Sequence, residues 1–381
     1  MYRLINYYFG FLLFFLFACQ SDGNWESNST KSEYAPQPNK WGYIDNEGTV
    51  VITPNFDDGR NFHEGLAAVR IDDKWGYIDK VGTLVITPQF RSAWNFKKGR
   101  ARVQTFDYKM GFIDVNGKWV IQPNWEELGD FSNGYISFRQ GIYYGFLDGQ
   151  GAIVIPAEYQ RVYDFKGDFA KVKLANKYGV INAKNERIIP IEYKRLGGFS
   201  EGLISARKQQ LYGFLDINAK ETIAFQYQNV SDFADGFAAA QSNDKYGLID
   251  KNGNWAIPPT YEYIFDAKNG NWIVEVEGKY GLINTEGVFL TSKFYNQIDT
   301  YSEGMAGYRI GFLYGYLDEI GEEITPPQFG LIWSCKEGLA RAAFREGVGF
   351  VNTEGELIIA PNYRDVRDFS EGLARVQLLN W

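Results

Sequence analysis

The chain has 381 residues, 17% of them aromatic, and carries 41 glycines, 12 prolines, three methionines and one histidine. That is too aromatic for a disordered polymer and suits short strands joined by tight turns. A net charge of −8 repels a phosphate backbone and argues against nucleic acid as a partner.

The N-terminus reads MYRLINYYFGFLLFFLFACQSDGN. Arg3 precedes an apolar run from Tyr7 to Ala18, which is too short to span a bilayer but suits the apolar region of a secretory signal. The run stops at Leu16-Phe17-Ala18-Cys19, which resembles the lipobox of bacterial lipoproteins. The resemblance implies a signal peptide over 1–18, lipidation of Cys19 and a membrane anchor. Plain secretion and an uncleaved anchor are the alternatives. With Cys19 lipidated, Cys335 is left alone and no intramolecular disulfide can form. Residues 19–39 are polar and read as a flexible tether.

Over residues 40–381 one unit is written ten times. Its anchor is the glycine of a Trp-Gly pair: Gly42, Gly76, Gly111, Gly145, Gly179, Gly213, Gly247, Gly281, Gly315 and Gly349, every interval 34 residues except one of 35. The residue before the anchor is aromatic in eight copies, and the residue two after it is aliphatic in all ten. Three after stands Asp or Asn, six after usually Gly, and fourteen after an aromatic in every copy. Twenty-three after is Gly in nine copies, and two further on is Ala in seven.

These positions predict local structure. Trp41-Gly-Tyr-Ile-Asp45 alternates as a strand does. Asp45 and Gly48 then fit the first and fourth positions of a type I turn. Thr49–Pro54 is the returning strand, ended by proline, and residues 56–65 form a longer connection pinned by two aromatics. Gly65–Arg70 is a third strand leading to the next Trp-Gly pair. The prediction is all-β: ten three-stranded antiparallel meanders, each with one apolar face that its neighbours cover. The recurring Gly and Ala are expected where neighbouring units approach most closely.

These residues resemble the WG-repeat, or KWG-repeat, family of bacterial envelope and secreted proteins, over almost the whole mature chain. The resemblance implies a binding scaffold more than any chemistry. The first copy lacks a preceding third strand, and the last ends in a spare one, Glu371–Trp381, so joining the two completes a meander. Neither end carries a polar capping unit. A propeller-like closed or nearly closed ring is the preferred arrangement, with an open β-solenoid or superhelix as the alternative.

The repeated Asp or Asn is assigned to turn hydrogen bonds and not to a metal site, and no calcium-loop, P-loop or dinucleotide motif is present. His63 occupies a slot filled elsewhere by Lys97, Ser132 or Ala234 and reads as a surface residue. Cys335 stands where most copies carry Phe and reads as a buried apolar side chain. Ligand contacts are expected where copies disagree. Eighteen residues after the anchor the side chain is idiosyncratic, and Trp94, Tyr163, Phe265 and Trp333 are the candidate binding residues, with gap-filling between units as the alternative. The expected function is a non-enzymatic, lipid-anchored cell-envelope scaffold that binds an envelope or extracellular protein, without cofactor or metal. A carbohydrate- or peptidoglycan-binding module is the alternative, and a glycan hydrolase using paired carboxylates a distant third.

Overall fold

The computed structural model describes residues 39–378. The predicted signal peptide 1–18, Cys19, all but the last residue of the tether, and Leu379–Trp381 lie outside the described residues.

Every regular element among the described residues is a β-strand. The first complete sheet contains four strands, not three: Asp58–Gly59, Ala67–Ile71, Lys74–Ile78 and Leu84–Phe90, each antiparallel to the next. The predicted connection 56–65 thus contains a short strand, Asp58–Gly59, which pairs with Val69 and Arg70 on the outgoing strand. Its two residues carry no alternation, which is why the pattern of the sequence alone did not reveal it. Each sheet also straddles two repeats, because its short strand and outgoing strand precede the Trp-Gly strand of the next copy.

Seven four-stranded sheets, one three-stranded and one seven-stranded sheet account for the strands. The three-stranded sheet is the eighth copy, where no proline follows and isolated bridges Tyr280–Tyr295 and Ile283–Phe289 stand in for the outer strand. The sixth copy also lacks the proline yet keeps its outer strand, Glu221–Tyr227. Elsewhere the proline does not end the strand. Pro88 lies inside Leu84–Phe90, on the outer edge of its sheet, where a missing N–H costs nothing.

The anchor glycine has a steric cause. Register shifts between Trp75 and Tyr77 mark a bulge against the outer strand. There a Cβ on Gly76 would run into the Ile86 carbonyl oxygen and lie 2.7 Å from Pro88 N. The tight approach is therefore inside one unit, not between units as the sequence suggested. The glycine six residues after the anchor does meet a neighbour: a Cβ on Gly82 would lie 3.1 Å from Cγ2 of Ile52 in the preceding unit.

The expected single apolar face is corrected to two. Tyr77 packs with Phe90, Phe96, Ala101 and Ile113, whereas the adjacent Ile78 packs with Tyr43, Ile52, Phe56 and Phe62. Successive residues of the strand point to opposite faces, so each sheet is covered by the one before it and the one after. Ten apolar clusters result. In five of them the aromatic after the anchor meets the aromatic twenty positions after it edge-on: Tyr43–Phe62, Tyr77–Phe96, Phe146–Phe165, Phe214–Phe233 and Phe350–Phe369, with centroids 4.8–5.0 Å apart.

The first and last described strands meet as those of successive units do. Trp41–Ile44 pairs with Ala374–Leu378 in the register Gly42–Val376, Tyr43–Arg375, Ile44–Ala374, matching Gly76–Val69, Tyr77–Ala68, Ile78–Ala67. Ile44 lies in the cluster of Phe350, Ile359 and Phe369. Ser370 Oγ donates to the Phe62 carbonyl at 2.7 Å, as Ser200 does to Phe233 and Ser302 to Cys335.

A second thread runs through the same seam. Glu64 (φ 53°) and Gly65 (φ 80°) are both left-handed, so their N–H groups converge on an anion. The Glu371 carboxylate fills that concavity, accepting from Glu64 N at 2.5 Å and Gly65 N at 2.9 Å. Glu303 accepts in the same way from Glu337 and Gly338, Glu337 from Glu371 and Gly372, and Glu64 from Lys98 and Gly99. Lys98 ends the row.

The Gly338 N–H holds the Glu303 carboxyl below its ordinary value of 4.5. Burial pushes Glu371 up, but the N–H groups of Gly65 and Glu64, with Lys80, outweigh it and leave it lowered as well. Depressed carboxyls stabilise the fold fully above the unfolded value, and that contribution is lost as pH falls through the folded values. The melting temperature is therefore expected to hold from neutral pH down to about 5 and to drop below about 4.5. Glu371→Ala is expected to cost about 1 kcal/mol at pH 7, after the discount for partial exposure, and to shrink the acid drop. Thermal melts at a series of pH values test this. An unchanged acid limb in the variant contradicts it.

Candidate functional site

At three of the candidates the residue eighteen after the anchor follows a short strand and bonds back across the hairpin: Trp94 N donates to the Arg102 carbonyl, Tyr163 N to Lys171 and Trp333 N to Arg341, whereas Phe265 lies inside the strand Tyr263–Asp266. The two side chains of each pair then face one another. The Arg102 guanidinium lies 4.4 Å from the Trp94 ring centroid, Lys171 Nζ 4.4 Å from Tyr163 and the Arg341 guanidinium 4.5 Å from Trp333. Each cation also reaches the next unit. Arg102 donates to the Leu128 carbonyl and pairs with Asp130 at 3.2 Å, Lys171 donates to Leu196 and Gly197 carbonyls, and Arg341 bonds Val366 O and Asp368 Oδ1.

The structure therefore does not bring Trp94, Tyr163, Phe265 and Trp333 into one site. They occupy equivalent places, and all four are half-buried. Tyr163 and Lys171 line a cleft with Phe199 and Gly197, while Phe265 lines another with Tyr280 and Asn296. Phe265 has no cation over it and packs against Tyr263 and Tyr280 at centroid distances of 5.8 and 6.4 Å. The Trp-Gly aromatics are less buried than a pure core role predicts: Trp41 and Tyr246 are buried, the rest half-buried.

The repeated Asp or Asn behaves as the sequence predicts. In all ten units its Oδ1 accepts from the N–H groups two and four residues on, at 2.8–3.1 Å. Among the described residues no cluster of three His, Cys, Asp or Glu side chains is placed to hold a metal. Cys335 is buried in the phenylalanine slot beside Tyr316 and Phe329. Burial, with the Glu303 carboxylate, pushes its thiol up to about 12, so little thiolate forms at neutral pH.

Sequence reasoning missed a basic groove. Arg60, His63, Trp94, Lys97, Arg100 and Arg102 line a cleft of about 410 Å³, with Asp130 on its far wall. A second cleft of about 260 Å³ shares Arg60, His63 and Asn95 and adds Arg367 and Arg375 from the last unit. The signal was present, since Arg60 and Arg367 occupy the idiosyncratic slot, but their proximity depends on the two ends meeting.

No curated protein matches the chain. Among solved structures it is similar to the computationally designed Ika8 protein, at 11% identity over 78% of this chain and 93% of that one, with a TM-score of 0.36. It is also similar to a eukaryotic initiation factor (12%, 77% and 95%, TM-score 0.49) and to BamB from Moraxella catarrhalis (12%, 70% and 88%, TM-score 0.31). At such values none of these likenesses bears on function. The family model described as "WG containing repeat" matches residues 41–75, 75–109, 110–141, 144–178, 178–211, 212–246, 246–280, 280–311, 314–345 and 349–380. With ten matches in register along the whole described region, the chain belongs to the WG-containing repeat family.

Proposed function

We propose that this protein is an exported, lipid-anchored and non-enzymatic scaffold of the bacterial cell envelope, whose ten repeats close into a propeller-like ring and bind a partner protein. Ten apolar clusters among ten repeats support closure, because an open row of ten units has nine interfaces. So does the pairing of Trp41–Ile44 with Ala374–Leu378. The observation that favours a protein over a sugar is the cation seated on each of Trp94, Tyr163 and Trp333. A ring face already covered by a guanidinium or ammonium is not free to stack on a pyranose, and the cleft presents charged donors instead.

Mass spectrometry of the mature N-terminus is expected to find acylated Cys19, and an unmodified cysteine overturns the anchor. Cosedimentation with isolated cell-wall polysaccharide is expected to retain little protein. Strong retention, lost in folded Trp94→Ala and Trp333→Ala variants, would establish glycan binding instead. Turnover of glycan substrates by the purified protein would overturn the non-enzymatic reading.

A further inference from the structure

The basic groove at the seam holds a cation that the protein leaves unused. The Arg60 guanidinium sits 5.3 Å from the Trp75 centroid and 5.9 Å from that of Trp94. Its Nε is buried without a hydrogen-bond partner, and among the described residues it makes no ion pair. Nε of Arg100, Arg102 and Arg375, in the same two clefts, is likewise buried and unbonded. Arg102 shares the Trp94 ring with Arg60, so two guanidiniums face one indole.

Crowding like charges in a half-buried cleft is unfavourable unless an anion joins them. The neighbouring arginines have partial answers: Arg102 pairs with Asp130, Arg375 with Asp58 and Arg367 with Asp365. Arg60 has none. Two indoles hold its planar fork in place, so little rotamer freedom is lost when it takes a carboxylate in bidentate fashion. The concentration of positive charge is local, in a chain whose net charge is −8.

We propose that this groove, built jointly by the first three units and the last, binds an acidic peptide segment of a partner protein, with a side-chain carboxylate on Arg60. The choice of a peptide rests on the protein-binding reading above and on the occupied indole face, which leaves carboxylate pairing and not sugar stacking as the means of recognition. Arg367 and Arg375 join the groove only because the first described strand pairs with the last.

The test uses the full chain in detergent and a fluorescein-labelled deca-glutamate peptide, read by anisotropy at low salt. Binding is expected to weaken at least about tenfold in Arg60→Gln and severalfold in Arg60→Lys, which keeps the charge but not the fork. Arg195→Gln, in the fifth unit, removes the same charge elsewhere and is expected to leave binding unchanged. Deca-glutamine is expected not to bind, and raising the salt is expected to weaken the deca-glutamate complex. Trp emission is a second readout, since Arg60 lies against two indoles. Equal losses in Arg60→Gln and Arg195→Gln, or no binding to the folded protein, overturn the proposal. Tighter binding of polygalacturonate than of the peptide assigns the groove to an acidic glycan and overturns it too. Failure here with weak polysaccharide retention above leaves the protein-scaffold reading standing.

Discussion

Gly76→Ala is expected to destabilise the domain by at least about 3 kcal/mol, the cost of forcing a methyl group into backbone that cannot move aside. The outer strand folds over the anchor glycine, and Cβ would meet the Ile86 carbonyl oxygen and the Pro88 backbone nitrogen. All three nearest atoms are backbone of that outer strand, so there is no rotamer to adjust. Gly281 provides the contrast. Its copy lacks a regular outer strand, and the nearest atoms to a new Cβ are ring carbons of Phe289 and Phe294 at 3.0 Å. Those rings can turn, so Gly281→Ala is expected to cost about 1 kcal/mol. Urea denaturation of both variants decides it: similar midpoints would mean that the bulge is not what demands glycine.

Trp272→Ala is expected to cost about 3–5 kcal/mol, the range for removing a large buried aromatic. Trp272 is 1% exposed and stands where seven copies carry alanine. Five positions earlier, the slot that is aromatic in most copies holds Ala267. The two residues do not share a cluster: Trp272 packs with Leu248, Ile257 and Val274, whereas Ala267 packs with Ile273, Tyr295 and Tyr301. Because the two lie in different clusters, restoring the common pattern in the double variant Ala267→Phe, Trp272→Ala is expected to recover none of the loss. A double variant clearly more stable than the single one would show that the two positions share one space after all. Trp255, 37% exposed on an outer strand, serves as control, and its alanine variant is expected to stay within about 1 kcal/mol of the parent.

Legibility differed with the range of the interaction. The Asp-x-x-Gly turn was readable because each carboxylate bonds N–H groups two and four residues on, so the whole motif lies in one short stretch. The burial of Cys335 was readable because the phenylalanines of other copies mark its slot. Of the four aromatic candidates, Trp94, Tyr163 and Trp333 follow a short strand and Phe265 lies inside the strand Tyr263–Asp266, and the cations over the first three were not anticipated. Arg102 lies eight residues from Trp94 and reaches it only because the hairpin folds back.

The sequence by itself determined the all-β class, the ten-fold repetition and the turn of every unit, since each rests on contacts within a few residues that ten copies restate. Only the tertiary structure decided that a further strand forms within the predicted connection, that both faces are buried, and that Arg60, Arg367 and Arg375 share one groove. The physical reason is separation. Arg60 and Arg375 lie at opposite ends of the chain, and no local pattern encodes a neighbourhood created when the first strand pairs with the last.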